Sequence, residues 1–274
     1  MTVPIWEGQW KEPQNGTGPK QAAQKWDVCV AAESVPRCCC GGPISANFFA
    51  MRTLFFDIDG TLLVTQRAGS GALVRAMVSE FGVADLAIEH ISFGGRTDRD
   101  LVCEFLAAGN IAPTPENQGR LRRRYAVTLR ETLPTVRGEV LPGVAELLPA
   151  LSVTPHVSLA VMTGNFPETA RMKLETFRLI DFFPWVVGGD LDAVRCDMAR
   201  RAADQLVRRR GEAARDDMIV IGDTPNDVRC AHTIGAKCLA VCTGTASRED
   251  LEIAGADRIV DDLTDRDAME FLVR

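Results

Sequence analysis

The sequence predicts an α/β fold: a doubly wound parallel sheet with an all-helical segment inserted after its first strand. Three observations carry this expectation. From residue 52 onward, strand-like runs alternate with helix-like ones. The strand-like runs are continuously apolar, which suits strands buried on both faces of a parallel sheet. One long stretch, roughly residues 66 to 140, holds helical patterns and no convincing strand. Strands alternating with helices imply βαβ units, and so a parallel sheet.

In chain order, residues 1–50 come first and stand apart. They are rich in Gly, Pro, Gln and Asn, show no sustained period, and contain the run "CCCGGP" at 38–43. Three adjacent cysteines cannot converge on one ion without strain, and no second Cys/His cluster has zinc spacing, so a disordered extension is expected. The strand-like runs are "TLFFDI" (53–58), "VSLAVMT" (157–163), "WVVGG" (185–189), "MIVIGD" (218–223), "KCLAVCT" (237–243) and "RIV" (258–260). After Pro142, a good helix opener, Val144, Leu147, Leu148 and Leu151 repeat at helical spacing. Met198, Ala202 and Leu206 form a second stripe; Val228, Ala231 and Ile234 form a third, closed by Gly235. The inserted block carries Leu73, Ala76, Met77 and Phe81 on one helix, Leu101, Val102, Phe105 and Leu106 on another, and a third helix near 116–133. The expected division is a core of 51–65 and 141–274 with a helical cap of 66–140.

Composition bounds the function. The chain has 274 residues, 46% of them apolar and 25% charged, enough for one large domain or a core with an insert. A net charge of −6 argues against non-specific nucleic-acid binding. The triplets Arg122 to Arg124 and Arg208 to Arg210 fall in amphipathic helices and read as solvated faces. Nine cysteines is an odd number, and Cys238 and Cys242 sit within apolar runs. A reducing cytoplasm is the expected setting. No stretch has the length of a membrane span, and the N-terminus lacks the pattern of a signal peptide.

The chemistry lies at strand ends, the place where parallel α/β sheets bind ligands. The first run ends "DIDGT" (57–61), the second "TGN" (163–165), the third is followed by "GGDLDAVR" (188–195), and the fourth ends "GDTPND" (222–227). Each piece alone has a bland reading as a helix cap or turn. Together they bring Asp57, Asp59, Asp223 and Asp227 to one edge. Four carboxylates so close need a cation, and an all-oxygen set without His or Cys suits Mg²⁺.

These motifs resemble the four signature motifs of the haloacid dehalogenase-like hydrolase superfamily over residues 52 to about 260. The insert resembles the mobile cap of its phosphoglycolate phosphatase and β-phosphoglucomutase branch, in which "GRTD" (95–98) recurs. The resemblance implies Asp57 as the nucleophile that becomes an aspartyl-phosphate. It implies Asp59 as the group that protonates the departing alcohol and then takes a proton from water. Mg²⁺ would be held by Asp57, the backbone carbonyl of Asp59 and Asp223, with Asp227 as ligand or support. Thr163, Gly164 and Asn165 would receive phosphoryl oxygens. Many relatives place a lysine in the third motif; this chain offers Arg195 there, with Lys173 as a fallback whose bland reading is a surface residue. Arg96 reads equally as a cap contact to the leaving group or as part of a helix start capped by Thr97. Arg67, near the cap hinge, is a similar and weaker candidate.

The dehalogenases of the superfamily lack an aspartate at the position of Asp59, because a halide leaves without a proton. The resemblance therefore implies a Mg²⁺-dependent phosphatase acting on a small-molecule phosphate ester, with no nucleic-acid or membrane partner. The alternatives are a phosphosugar mutase sharing the same residues, a regulatory protein that has lost activity, and a partner-binding role for the N-terminal tail. Met51 stands directly before the first strand and marks a candidate translation start. The mass of the native protein's N-terminal peptide is expected to place the start there.

Overall fold

The computed structural model describes residues 51–83, 86, 88 and 91–274; the N-terminal extension with its cysteine run lies outside them. The run that ends at Asp57 forms β1 (Arg52–Phe56), and the short β2 (Leu63–Val64) follows the turn after it. The insert then supplies α1 (Ala68–Phe81), α2 (Asp98–Ala108) and α3 (Pro115–Thr132), and closes with β3 (Glu139–Val140). The remaining chain alternates: α4 (Val144–Ser152), β4 (Val157–Met162), α5 (Pro167–Thr176), β5 (Val186–Val187), α6 (Arg195–Arg210), β6 (Met218–Gly222), α7 (Pro225–Thr233), β7 (Lys237–Val241), α8 (Arg248–Ala254), β8 (Arg258–Val260) and α9 (Arg266–Val273).

The six long-range strands pair in parallel in the order β5-β4-β1-β6-β7-β8. β1, β4 and β5 step outward on one side, and β6, β7 and β8 on the other. The order reverses between β1 and β6, so the carboxyl ends of these two strands flank the switch point where a crevice opens. Alternate residues of each strand feed opposite cores. Leu54, Phe56, Val161 and Ile221 join Val144, Leu147, Leu148 and Leu151 of α4 on one face. Phe55, Ala160, Met162 and Val220 join the α6 stripe (Met198, Ala202, Leu206) and the α7 stripe (Val228, Ala231, Ile234) on the other. Gly235 follows α7 with φ +72°, and the backbone N–H of Ala236 returns to the carbonyl of Ala231 at 2.9 Å, a glycine-dependent helix stop.

The insert has its own apolar centre. Leu73, Ala76 and Met77 of α1 meet Leu101, Phe105 and Leu106 of α2 and Leu121, Tyr125 and Leu129 of α3. Phe166, from the core just ahead of α5, is buried in the same cluster. The expectation of no strand in the insert is corrected at its edge: β3 pairs antiparallel with β2, Leu63 opposite Val140 and Val64 opposite Glu139. Two residues are too few to show a period, so the sequence pattern is silent there.

The arginine triplets lie on helices α3 and α6, where Arg123, Arg124 and Arg208 to Arg210 are exposed as expected, and several of these side chains also make contacts within the molecule. Arg122 forks onto Glu168 and lies 4.4 Å over the Phe166 ring. Arg209 covers Trp185, and Arg210 bonds the hydroxyls of Thr53 and Ser158. Among the described residues, no helix is long and apolar enough to cross a membrane.

Phe105 is fully buried at the centre of the insert and packs edge-on against Phe93. Phe105→Ala is expected to destabilise the insert by about 3–5 kcal/mol, read as a lower urea midpoint.

Candidate active site

Asp57 is placed by the ladder of β1: its backbone N–H donates to the carbonyl of Ile221 at 2.9 Å, one step beyond the last paired residue. The chain then turns at Gly60, with φ +84°, and a Cβ there would stand 2.5 Å from the Asp223 Oδ2. Glycine is required twice over, by conformation and by the closeness of Asp223. Asp223 follows β6 and Asp227 lies in the first turn of α7. Oxygens of Asp57, Asp223 and Asp227, all buried, lie within 4.8 Å of one another.

Burial pushes the Asp57 carboxyl above its ordinary range; Arg195 opposes the rise, and Asp227 and Asp59 add to it. Burial, Asp227 and Asp57 push Asp223 well above its ordinary value. Arg195, first residue of α6 and 7% exposed, is the cation of this group. One of its terminal nitrogens lies 2.9 Å from the Asp57 Oδ2 and also bonds Asp227. Burial works against the Arg195 charge, yet Asp227 and Asp57 outweigh it and hold the guanidinium well above its ordinary pKa.

The donor set fits a divalent metal. Ionising all three carboxylates against one guanidinium would leave two uncompensated negative charges in a buried space. The Asp57 Oδ1 is buried with no hydrogen-bond partner. The set is all oxygen, as hard cations such as Mg²⁺ prefer. Asp227 differs from the other two, because its oxygens are engaged. Oδ2 accepts from the Thr224 N–H at 3.0 Å and the Thr224 hydroxyl at 2.6 Å, and Oδ1 accepts from Arg195.

Asp59 faces a separate group. Its side chain is 43% exposed, and Lys173 Nζ lies 2.8 and 2.6 Å from its two oxygens. Asn165 Nδ2 donates to Asp59 at 2.8 Å and to the Thr163 hydroxyl at 2.8 Å, while its Oδ1 accepts from Lys173 at 2.7 Å. The bland reading of Lys173 as a surface residue is therefore overturned: it is 3% exposed. Lys173 shares the inner face of α5 with Thr169, Ala170 and Leu174. That spacing was available in the sequence, since Ala170 and Leu174 are an i, i+4 apolar pair.

The "GRTDRD" segment forms the start of α2: the Thr97 hydroxyl accepts from the Asp100 N–H at 3.3 Å. The Arg96 guanidinium is bound to Asp100, 2.7 Å from Nε, and to Glu104. The backbone of this segment lies against the second motif so closely that a Cβ on Gly164 would come within 1.9 Å of the Arg96 carbonyl. Arg67 adopts a left-handed conformation ahead of α1. Asp98, unremarked in the sequence, is buried against α5. Its Oδ2 accepts from the Phe166 N–H at 2.8 Å and the Thr169 hydroxyl at 3.2 Å. Burial raises its carboxyl to about 6, with Lys173 opposing.

A parallel sheet layered between helices, with a carboxylate cluster at its switch point and a helical insert lying against it, is the architecture of a capped α/β enzyme. Comparison with known proteins makes the assignment specific. Residues 54–241 match the family described as haloacid dehalogenase-like hydrolase, and the chain belongs to that family. It is 28% identical to phosphoglycolate phosphatase 1 of Pseudomonas aeruginosa over 224 residues, covering 80% of both chains. It is 30% identical to the phosphoglycolate phosphatase of Rhodospirillum rubrum over 217 residues, 77% of this chain and 87% of that one. Among solved structures it resembles CbbY from Rhodobacter sphaeroides in complex with phosphate, with a TM-score of 0.65 and 21% identity, over 80% of this chain and 99% of that one.

Asp98 makes a pH prediction. An acid whose folded pKa, about 6, exceeds the ordinary 3.8 holds its proton more tightly when folded. Its contribution to stability is full below the ordinary value and is lost as pH rises through about 6. From pH 4 to pH 7, the wild type is expected to lose about 2 kcal/mol relative to Asp98→Asn, measured by urea unfolding of both proteins.

Proposed function

We propose that the chain is a Mg²⁺-dependent phosphatase that hydrolyses a small phosphate monoester through an aspartyl-phosphate. The observation that carries this reading is the separation of the two aspartates: Asp57 faces the carboxylate cluster with Arg195, and Asp59 faces Lys173 and Asn165. One loop thus presents an attacking oxygen and a separate proton carrier.

In the first step, Asp57 attacks phosphorus and the ester oxygen leaves, taking a proton from Asp59. In the second, Asp59 takes a proton from a water that attacks the aspartyl-phosphate, releasing inorganic phosphate and restoring Asp57. Arg195 orients Asp57, and Asp227 fixes Arg195. The Thr163 hydroxyl, the Asn165 amide, the backbone N–H near Gly164 and Lys173 receive the phosphoryl oxygens, where charge spreads in the transition state. Mg²⁺, held by Asp57, Asp223 and the Asp59 carbonyl with Asp227 in support, would offset the repulsion between carboxylate and phosphate.

The names of the curated relatives make phosphoglycolate the first substrate to test. The insert, residues 66–140, acts in this reading as the cap that excludes water. Arg96 contacts the leaving group only by exchanging Asp100 and Glu104 for it, so Arg96→Ala tests that role through KM.

The deciding experiment is a phosphate-release screen over metabolite monophosphates, including phosphoglycolate, with Mg²⁺ present and after EDTA. Release is expected only with metal. Asp57→Asn is expected to lower kcat by roughly 10⁴-fold or more while leaving the melting transition in place. Near-normal turnover in that variant would refute Asp57 as the nucleophile. Conversion of a phosphosugar to its isomer without free phosphate would replace the phosphatase by a mutase.

A further inference from the structure

Helix α5 has no side-chain cap at its N-cap position. Phe166 stands at its N-cap position and offers no side-chain acceptor, and Pro167 occupies the first turn. A helix start left in that state has unsatisfied backbone N–H groups. The acceptor comes from 68 residues away in sequence, across the boundary between insert and core: the Asp98 carboxylate takes the Phe166 N–H and the Thr169 hydroxyl. The link is reciprocal, since the Asp98 backbone N–H donates to the Gly164 carbonyl at 2.7 Å.

The same turn is gripped from α3. Arg122 makes two bonds to Glu168, at 2.6 and 2.7 Å, and Tyr125 packs edge-on to Phe166 with ring centres 6.4 Å apart. The first turn of α5 is thus held by the insert on two sides. The residues around it belong to the site: Asn165 immediately precedes it, and Lys173 lies one turn beyond Thr169 on the same buried face. Both bond Asp59.

We propose that Asp98 is a positioning residue that caps α5 from the insert, so that docking of the insert sets Asn165 and Lys173 against Asp59. A carboxylate at a helix N-terminus accepts from a free donor there and matches the helix dipole. When the insert lifts away, α5 loses this acceptor, and Phe166 leaves the apolar cluster it shares with Tyr125. The proton carrier is then held correctly only in the docked state, which couples docking to chemistry. The inference rests on the phosphatase reading for the role of Asp59, but the capping of α5 does not.

The test compares Asp98→Ala with Asp98→Asn in the full chain. Asparagine keeps an oxygen that accepts from the Phe166 N–H; alanine removes it. Two measurements are made: amide hydrogen exchange of the first turn of α5, and kcat and KM with phosphoglycolate and with p-nitrophenyl phosphate. For Asp98→Ala, exchange in that turn is expected to quicken and kcat to fall, each by about tenfold, the effect of losing one cap, with KM changed far less. Asp98→Asn is expected to stay within about threefold of wild type in both, the scale of a modest residual loss.

Unchanged exchange in Asp98→Ala overturns the proposal. So does an Asp98→Asn variant as slow as Asp98→Ala with α5 still protected, because the charge would then act on substrate instead. If Asp98→Ala does not fold, Asp98→Asn decides: wild-type protection and kcat support capping, and loss of either overturns it. If the wild type releases no phosphate from any ester, the phosphatase reading fails, and the exchange measurement still decides the capping of α5.

Discussion

The contact on which the site depends is the buried bridge from Arg195 to Asp57 and Asp227. Isolated carboxylates at the end of a central strand would be expelled from the interior or protonated there. One guanidinium answers two of them, and it is fixed by sequence position: as first residue of α6, Arg195 enters the crevice from the turn after β5. Asp227 is itself fixed by Thr224, which it pairs with in a reciprocal cap at the start of α7. The arrangement is therefore held from three chain segments at once. Removing the arginine would leave two buried acids without compensation, a loss of about 3–5 kcal/mol by comparison with other broken buried pairs.

This packing leaves room for glycine and little else at two approaches. Gly60 lets the loop after β1 turn back beneath Asp223, and Gly164 lets the second motif meet the backbone at Arg96. Both are places where two chain segments come closer than a side chain allows. The first brings the carboxylates together. The second brings the helical insert to the edge of the sheet, where Asp98 reaches α5. Local backbone geometry and the assembly of the site are consequences of the same closeness.

Much of this was legible in the sequence, and the residues show why. The continuous apolar runs identify all six parallel strands, because a strand covered on both faces carries no polar alternation. β1, β4 and β6 end immediately before Asp57, Thr163 and Asp223, the residues that the sequence pattern places at the strand ends. The helical stripes at Val144, Met198 and Val228 point to the two cores for the same reason of periodicity. What was not legible depends on contacts between distant segments. Nothing local in "GRTDRD" distinguishes Asp98 from an ordinary first-turn acid, because its partner is Phe166, in another subdomain. Lys173 looks like any helix-surface lysine until α5 is laid against Asp59. The β2–β3 pair escapes because two residues carry no pattern.

The two cations then divide the work that one loop must do. Lys173 pairs with Asp59, and Asn165 ties that pair to Thr163. In the other half one guanidinium faces three buried carboxylates, and ionising all of them would leave excess negative charge. A phosphate ester, itself an anion, would be repelled by such an excess. A divalent cation bound there would cancel that excess and remove the repulsion. The site thus has two unlike halves: a Lys173–Asp59 pair tied through Asn165 to Thr163, and a carboxylate cluster gripped by one guanidinium, where the proposed metal would sit.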